Sequence, residues 1–150
     1  MTHAFGEVLV HFVFSTKQRQ SWLDDEINLE LYPYIVKILK NHNCRVLQIG
    51  GIDNHMHILC DIIKTLPIAK IIEEIKSSSS KWIKTKGQKY QEFRWQQGYG
   101  AFTVSSCQKI LVCNYIARQK QHHQTQSFEN EFKDLLQENN VPFDEKHYLG

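Results

Sequence analysis

The pattern of hydrophobic and polar positions predicts four strands and four helices along the chain. Short segments rich in β-branched and aromatic residues are typical of strands, whereas apolar residues spaced three and four apart are typical of helices. The predicted strands cover residues 7–14, 45–49, 55–62 and 99–105. The predicted helices cover residues from about 25 to 41, 65 to 83, 108 to 122 and 128 to 137.

The order of these elements, β-α-β-β-α-β followed by helices, predicts an α+β fold of the ferredoxin-like type. In this fold an antiparallel sheet carries helices on one face, and here C-terminal helices are added. Gly50-Gly51 and Asp53-Asn54, between the second and third strands, predict a hairpin. At 150 residues the chain fits a single domain over residues 1–150, with an acidic helix and tail over about 126–150. Since this architecture hosts many activities, the function must be argued from individual residues.

Composition narrows the class of protein. The apolar fraction is 41% and the charged fraction 23%, both ordinary for a soluble globular protein. No apolar run approaches the roughly 18 residues of a membrane span, and the first residues lack the features of a signal peptide. The four cysteines form no C-x-x-C pair, which favours packed thiols in a reducing compartment over disulfides or a zinc knuckle. We therefore expect a cytoplasmic protein that does not enter a membrane.

Charge is distributed unevenly although the net charge is only +2. Residues 64–94 contain eight basic and three acidic side chains, whereas residues 124–150 contain two basic and six acidic side chains. This asymmetry indicates a basic surface for a polyanion and a separate acidic tail.

The first candidate site is the pair His55 and His57 at the start of the third predicted strand. Because side chains alternate along a strand, both imidazoles point to one face and Met56 to the other. Two imidazoles at this spacing can share one divalent ion. Short motifs also arise by chance, so packed or surface histidines are the alternative interpretation of this pair taken alone.

The second candidate site lies on the third predicted helix, where Tyr115 and Gln119 are four residues apart and share a face. The glutamine carbonyl oxygen suits a hard cation, and the tyrosine hydroxyl can attack phosphorus. The alternative is an ordinary amphipathic helix in which Tyr115 is half-buried and Gln119 is solvated.

Five stretches of the chain match a known family in order and separation as well as in content. They are Ser15–Arg19, Asp53–Leu59, Trp95–Phe102, Tyr115–Gln119 and His122-His123. With them the chain resembles, over nearly its whole length, the HUH-type single-tyrosine transposases of small insertion sequences and their relatives, the REP-associated tyrosine transposases.

The resemblance implies a role for each candidate residue. His55 and His57 would be the metal-binding histidines, Gln119 the third protein ligand, and Tyr115 the nucleophile. The implied activity is metal-dependent cleavage and rejoining of single-stranded DNA during transposition, through a 5′-phosphotyrosine intermediate. Two imidazoles and an amide suit Mn²⁺ by ligand type, whereas cellular abundance favours Mg²⁺, so we expect either ion as the cofactor. The implied partners are single-stranded DNA hairpins at the element ends and a second copy of the chain. Whether the active sites of such a homodimer are shared stays open.

Basic residues interleaved with aromatic ones indicate where DNA binds. Bases stack on aromatic rings while cations follow the phosphates, and Trp82, Tyr90, Phe93 and Trp95 alternate with lysines and an arginine. The alternative is that Trp82 belongs to the core and the lysines form a solvated face. The candidate DNA contacts are Lys17, Arg19, Lys81, Lys84, Lys86, Arg94 and Trp95.

Three further histidines have open roles. His122 and His123 are candidates for a general base or a phosphate contact, or they lie at the surface. His11 on the first strand is a candidate structural histidine beside the metal. Three other functions also stay open: a non-mobile relative acting on chromosomal palindromes, a replication initiator with the same chemistry, and a non-catalytic module that binds single-stranded nucleic acid.

Overall fold

A computed structural model describes residues 5–62 and 67–150. The strands are β1 (Leu9–Ser15), β2 (Arg45–Ile52), β3 (His55–Asp61) and β4 (Gly100–Val104). The helices are α1 (Asp25–Asn41), α2 (Ile68–Lys84), α3 (Lys109–Ala117), α4 (Gln119–His122) and α5 (Phe128–Glu138). Within the described ranges, no helix combines the length and apolar character needed to cross a lipid bilayer.

The four strands form one antiparallel sheet in the order β2-β3-β1-β4. This is the strand order of a ferredoxin-like fold, so the predicted α+β class and antiparallel sheet are confirmed. β1 lies at the centre and pairs with β3, with His57 opposite Val13 and His55 opposite Ser15. The pairing brings the start of β3 beside the end of β1.

Each face of the sheet is covered by a different set of helices. Val10, Phe12 and Phe14 of β1 point to one face, where α1 and α2 pack and the main core lies. Leu9 and Val13 point to the other face, where residues of α3 and α5 cover the strands. The alternation of side chains along β1 therefore supplies apolar contacts to both layers.

Local signals in the sequence explain where the helices begin. The Asp24 carboxylate accepts a hydrogen bond from the Ile27 backbone N–H at 2.8 Å and caps α1. Ser127 caps α5 through its hydroxyl, which accepts from the Asn130 N–H at 3.2 Å. Pro67 directly precedes α2. The predicted start of α2 at Thr65 lies outside the described residues.

The predicted single helix over residues 108–122 is wrong, because the structure divides it into α3 and α4 at Arg118 (φ −103°, ψ 22°). The end of α3 lies directly on β2: a Cβ added to Gly50 would be only 2.6 Å from the Ile116 carbonyl oxygen. Gln119, just after the break, is 1% exposed. The break therefore occurs where the chain must both pack on the sheet and turn a polar side chain inward.

Candidate active site

β3 places His55 and His57 side by side beneath the C-terminal helices. Both side chains are fully buried on the face that α3 and α5 cover. Met56, between them, is buried in the main core on the opposite face. The alternation expected from the sequence is therefore observed.

A hydrogen bond on the outer nitrogen of each imidazole fixes its orientation. His55 Nδ1 lies 2.8 Å from the Asn54 side-chain oxygen, which can only accept, so Nδ1 carries a proton. His57 Nδ1 lies 2.8 Å from Nε2 of His11, which is itself buried. In both rings Nε2 consequently points into the site, as in a metal-binding histidine held by a neighbouring acceptor. His11 lies beside the site as a structural histidine.

Gln119 reaches the same point from the start of α4. Its Oε1 lies 2.8 Å from His55 Nε2, and its Nε2 donates to Oε2 of Glu131 at 2.9 Å. Because the amide nitrogen is used for this bond, the carbonyl oxygen faces the histidines. The structure therefore brings Gln119 together with His55, as the sequence analysis expected.

Tyr115 lies at the edge of the same cluster. Its hydroxyl donates a hydrogen bond to Oε2 of Glu131, and its ring lies edge-on to His57 with 5.7 Å between the centroids. Burial and then the negative charge of Glu131 raise the pKa of the Tyr115 hydroxyl far above its ordinary value. The hydroxyl is thus protonated and held in place.

Two residues of the cluster were not expected from the sequence: His123, which was assigned only an open role, and Glu131, which was assigned none. His123 Nδ1 lies 2.7 Å from the Gln126 carbonyl oxygen, so His123 Nε2 also points inward. Glu131 Oε1 lies 3.0 Å from Nε2 of His57 and of His123 and 3.2 Å from Nε2 of His55. The Glu131 carboxylate therefore occupies the centre of three imidazoles.

Burial and charge act in opposite directions on these groups. Burial lowers the pKa of His55 to about 4, although a hydrogen bond with Glu131 opposes the shift. Burial also lowers the pKa of His11 to about 3. For Glu131, burial alone would raise the pKa, but the hydrogen bonds from His123, His55 and His57 outweigh it and hold the pKa well below the usual range. The cluster therefore contains a carboxylate that stays ionised beside His55, whose imidazole accepts a proton reluctantly, while Glu131 raises the pKa of His123 above its ordinary value against the effect of burial.

The chemistry of this donor set fits a divalent cation. One nitrogen from each of His55, His57 and His123 and one oxygen of Glu131 lie within 4.8 Å of one another. Imidazole nitrogens suit first-row transition metals, and carboxylate and amide oxygens suit harder cations such as Mn²⁺ or Mg²⁺. The inward-facing Nε2 atoms of the three histidines, the Glu131 carboxylate and the Gln119 carbonyl oxygen can each act as a ligand. The Gln119 amide nitrogen cannot.

Most of the chain matches one protein family. Residues 4–119, more than half of the chain, match the model of the family described as "Transposase IS200 like". The chain belongs to the IS200-like transposase family. The matched region contains His55, His57, Tyr115 and Gln119, and it ends before His123 and Glu131.

Two solved structures resemble this IS200-like transposase in fold. One, described as a candidate transposase from Deinococcus radiodurans R1, is 18% identical with a TM-score of 0.62, and the match covers 79% of this chain and 95% of that chain. The other is a REP-associated tyrosine transposase bound to a REP hairpin, 14% identical with a TM-score of 0.61, matched over 82% of this chain and 73% of that chain. A comparison with curated proteins gives no match.

Some of the residues expected to contact DNA line one groove of the transposase. This groove, called here the α2 groove, runs between α2 and residues 94–99. Lys84 is close to it, because its amine lies 3.4 Å from the hydroxyl of the groove residue Ser80. Lys81 is exposed near the end of the same helix. The groove is lined by Lys17, Lys76, Ser77, Arg94, Trp95 and Tyr99, among others.

Other expected DNA contacts have partners within the protein. Arg19 donates to the Leu149 carbonyl oxygen at 3.2 Å. Lys86 pairs with Glu30 at 3.3 Å and lies over the ring of Trp82. Trp95 lines the groove but also packs edge-on against Phe14 and Phe93 of the core.

Two aromatic rings of the basic segment are core residues. Tyr90 and Phe93 are buried, at 4% and 0% exposure, so the expectation that their rings are available for stacking is wrong. Trp82 is half-buried and stacks on Tyr34 with 4.9 Å between the ring centroids. The alternation of aromatic and basic residues therefore reflects packing as well as a surface.

The sequence did contain a signal for Glu131. Glu131 lies three residues after Phe128 and four before Leu135 on α5, within the apolar stripe of an amphipathic helix. A carboxylate in such a stripe needs a buried cation or hydrogen-bond donors, because an unpaired buried charge is costly. The place of Glu131 in the apolar stripe, and not the acidic character of the tail, is therefore the signal.

Proposed function

We propose that this transposase cleaves and rejoins single-stranded DNA with Tyr115 as the nucleophile and a divalent cation held by His55, His57 and Gln119. One observation carries the proposal: the Gln119 carbonyl oxygen lies beside His55 within one buried cluster, and the Tyr115 ring lies beside His57 at the edge of that cluster. The family match supports the transposase activity. The pairing of a phenol with this donor set supports the mechanism.

The protein residues would hold the reacting groups in place. Asn54 fixes the tautomer of His55, and His11 holds the His57 ring through Nδ1, so both Nε2 atoms face the site as proposed ligands. Glu131 holds the Tyr115 hydroxyl through its hydrogen bond and limits its rotation. A bound divalent cation would supply Lewis-acid polarisation of the scissile phosphate. Fixing the nucleophile in this way lowers the entropic part of the barrier.

The reaction conserves the energy of the phosphodiester. The Tyr115 oxygen forms a bond to phosphorus while the bond from phosphorus to the 3′ oxygen breaks. The proton that leaves the tyrosine is balanced by the proton that the 3′ oxygen takes up. The products are a 5′-phosphotyrosine and a free 3′-hydroxyl, and attack by another 3′-hydroxyl reverses the step without ATP.

The substrate we propose is single-stranded DNA with a hairpin near each end of the element. The relative bound to a REP hairpin supports this class of substrate. On this chain, Lys17 and Arg94 in the α2 groove are cationic, with Trp95 and Tyr99 beside them, and this combination suits a single strand. Arg19, Lys81, Lys84 and Lys86 are further proposed contacts.

A homodimer is the proposed assembly. Ile110 and Leu111 at the start of α3 are 74% and 69% exposed. Burying neighbouring apolar side chains against a second copy would be favourable. Sedimentation at micromolar protein concentration tests the assembly, and a monomer under those conditions would contradict it.

The mechanism is tested by replacing Tyr115→Phe, which removes only the hydroxyl. We expect covalent protein–DNA adducts to vanish, at least 100-fold below wild type, while hairpin binding stays within a few-fold. The measurement is incubation with labelled single-stranded DNA and Mn²⁺ followed by a denaturing gel. Adducts formed by the variant at the wild-type rate would show that another residue is the nucleophile.

A further inference from the structure

We propose that His123 and Glu131 are also ligands of the cation, so that metal binding fastens α5 to the sheet. The inference rests on the proposed function in taking a divalent cation as the group that the site binds. It assigns a role to residues beyond the region that matches the family. The cation would thus join β3, α4 and α5.

The spacing of the inward-facing atoms supports one shared coordination sphere. Two ligands bound at about 2.1 Å and at right angles are about 3.0 Å apart. Glu131 Oε1 lies 3.0 Å from Nε2 of His57 and of His123. Gln119 Oε1 lies 2.8 Å from Nε2 of His55 and 2.9 Å from Nε2 of His123. These distances are those of neighbouring ligands around a single ion.

The hydrogen-bonding pattern also requires either extra protons or a metal ion in the cluster. The δ nitrogens of His55 and His123 face oxygens that can only accept, so each carries its proton there. Their ε nitrogens then face Gln119 Oε1 and Glu131 Oε1, which are also acceptors. Nitrogen and oxygen lone pairs at about 3 Å repel each other unless a proton or a metal ion lies between them.

A metal ion satisfies this group of atoms better than protons do. If protons alone filled the gaps, the His55 and His123 imidazoles would both be cations beside one carboxylate, with their ring centroids 4.5 Å apart. Each of these side chains is at most 4% exposed. Every extra charge among them therefore carries a desolvation penalty. One divalent ion would replace those protons and would be bound by the inward-facing nitrogen of each imidazole and by Glu131 Oε1.

The position of Glu131 on α5 gives metal binding a structural consequence. Phe128 and Leu136 of the same helix pack with Phe102 and Val13 of the sheet. These apolar contacts position α5, and Glu131 connects it to the site. The helix should therefore be held more tightly when the cation is bound, because opening it would break a metal–ligand bond.

The test measures binding of Mn²⁺ to the apo protein of 150 residues. The electron paramagnetic resonance signal of free Mn²⁺ reports how much of the ion stays unbound. Residues that only support a metal ligand typically contribute about 10–100-fold in metal affinity, and a direct ligand should contribute at least as much. We therefore expect Glu131→Gln and His123→Ala each to weaken Mn²⁺ binding at least about tenfold. The matched controls Glu138→Gln, at the exposed end of α5, and His147→Ala, an exposed histidine, should bind as wild type does.

Two further measurements keep the proposal testable if a variant folds poorly. Pulsed spectroscopy of the Mn²⁺ complex should count three imidazole nitrogens in the wild type and two in His123→Ala. Hydrogen exchange of residues 128–138 should slow when Mn²⁺ is added to the wild type. Two nitrogens in the wild type, or exchange in α5 that Mn²⁺ does not change, would overturn the proposal.

The outcome is separate from that of the DNA reaction. If the wild type binds Mn²⁺ through Glu131 and His123 but forms no adduct with DNA, the proposed function fails and the ligand assignment stands. If adducts form while both variants bind Mn²⁺ like the wild type, the ligand assignment fails and the function stands.

Discussion

At the scale of single residues, the site depends on acceptors that orient imidazoles. His55 and His57 were recognisable from the sequence because their spacing on a strand is a local property. His11 was expected beside the site as a structural histidine, but its hydrogen bond to His57 was not, and Asn54 and Gln126, which fix the tautomers of His55 and His123, carry no such signal. His11 lies next to His57 only after folding, and Asn54 and Gln126 reach their histidines through turns. Almost any polar group can act as such a hydrogen-bond partner. The two histidines of β3 could therefore be predicted as candidate ligands, whereas the backbone and amide acceptors beside the histidines could not.

His11 provides a test of this orientation. Replacing His11→Phe removes the hydrogen-bond partner of His57 Nδ1 and leaves an apolar ring near Phe102, which already lies 6.2 Å from the His11 ring. With its partner gone, His57 can turn or change tautomer, so we expect Mn²⁺ affinity to fall about 10–100-fold. Titration calorimetry measures the loss. Unchanged affinity in a folded variant would show that His57 needs no partner, and His11→Gln, which offers an acceptor oxygen, should recover part of the affinity.

At the scale of elements, sequence patterns located the strands and helices, but tertiary packing decided how α3 ends. Neither Gly nor Pro lies near Arg118, so no local signal predicts the break. The break follows from the approach of Ile116 to Gly50 and from the need to bury Gln119. Likewise, basic and aromatic residues alternate from Lys81 to Trp95, yet burial of Tyr90 and Phe93 leaves fewer rings for DNA than the pattern indicates.

The α2 groove contains a lysine whose charge should depend on pH. Lys76 donates to the carbonyl oxygens of Gln96 and Gly98 at 2.7 and 2.6 Å, and burial lowers the pKa of its amine to about 8. The amine is therefore charged at pH 7 and largely neutral at pH 9. We expect affinity for single-stranded DNA to fall several-fold as the pH rises through 8, because one cation is lost from the groove.

Fluorescence anisotropy at pH 7 and pH 9 measures this effect at constant salt. The control is Lys76→Arg, whose guanidinium stays charged over the whole range and should remove most of the pH dependence. A pH dependence in Lys76→Arg equal to that of the wild type would mean that another group titrates, or that the α2 groove does not bind the strand.

At the scale of the whole molecule, the two helix layers have different tasks. α1 and α2 enclose the main core on one face of the sheet. On the other face, α3, α4 and α5 bring Tyr115, Gln119 and Glu131 to the histidines of β3. The order of elements and the family resemblance were enough to predict the first layer and the general position of the site. The part played by α5 required the three-dimensional contacts, because Glu131 is 74 positions from His57 in the sequence.

The same arrangement predicts which chain supplies the nucleophile. Tyr115 lies beside the His57 of its own chain, with 5.7 Å between the ring centroids, so each subunit of a dimer should contain a whole active site. Mixing the inactive variants Tyr115→Phe and His57→Ala should therefore restore no covalent DNA adducts, even after the subunits are allowed to exchange. If the sites were shared, a mixed dimer would combine an intact Tyr115 from one chain with intact histidines from the other.

Random exchange makes about half of the dimers mixed, and each mixed dimer would then hold one whole site. Recovery of about a quarter or more of the wild-type adducts, measured on a denaturing gel, would therefore show that the active site is assembled between subunits. Exchange itself is checked by mixing each variant with tagged wild-type protein, so that absence of recovery reflects the arrangement of Tyr115 and not a failure of the chains to mix.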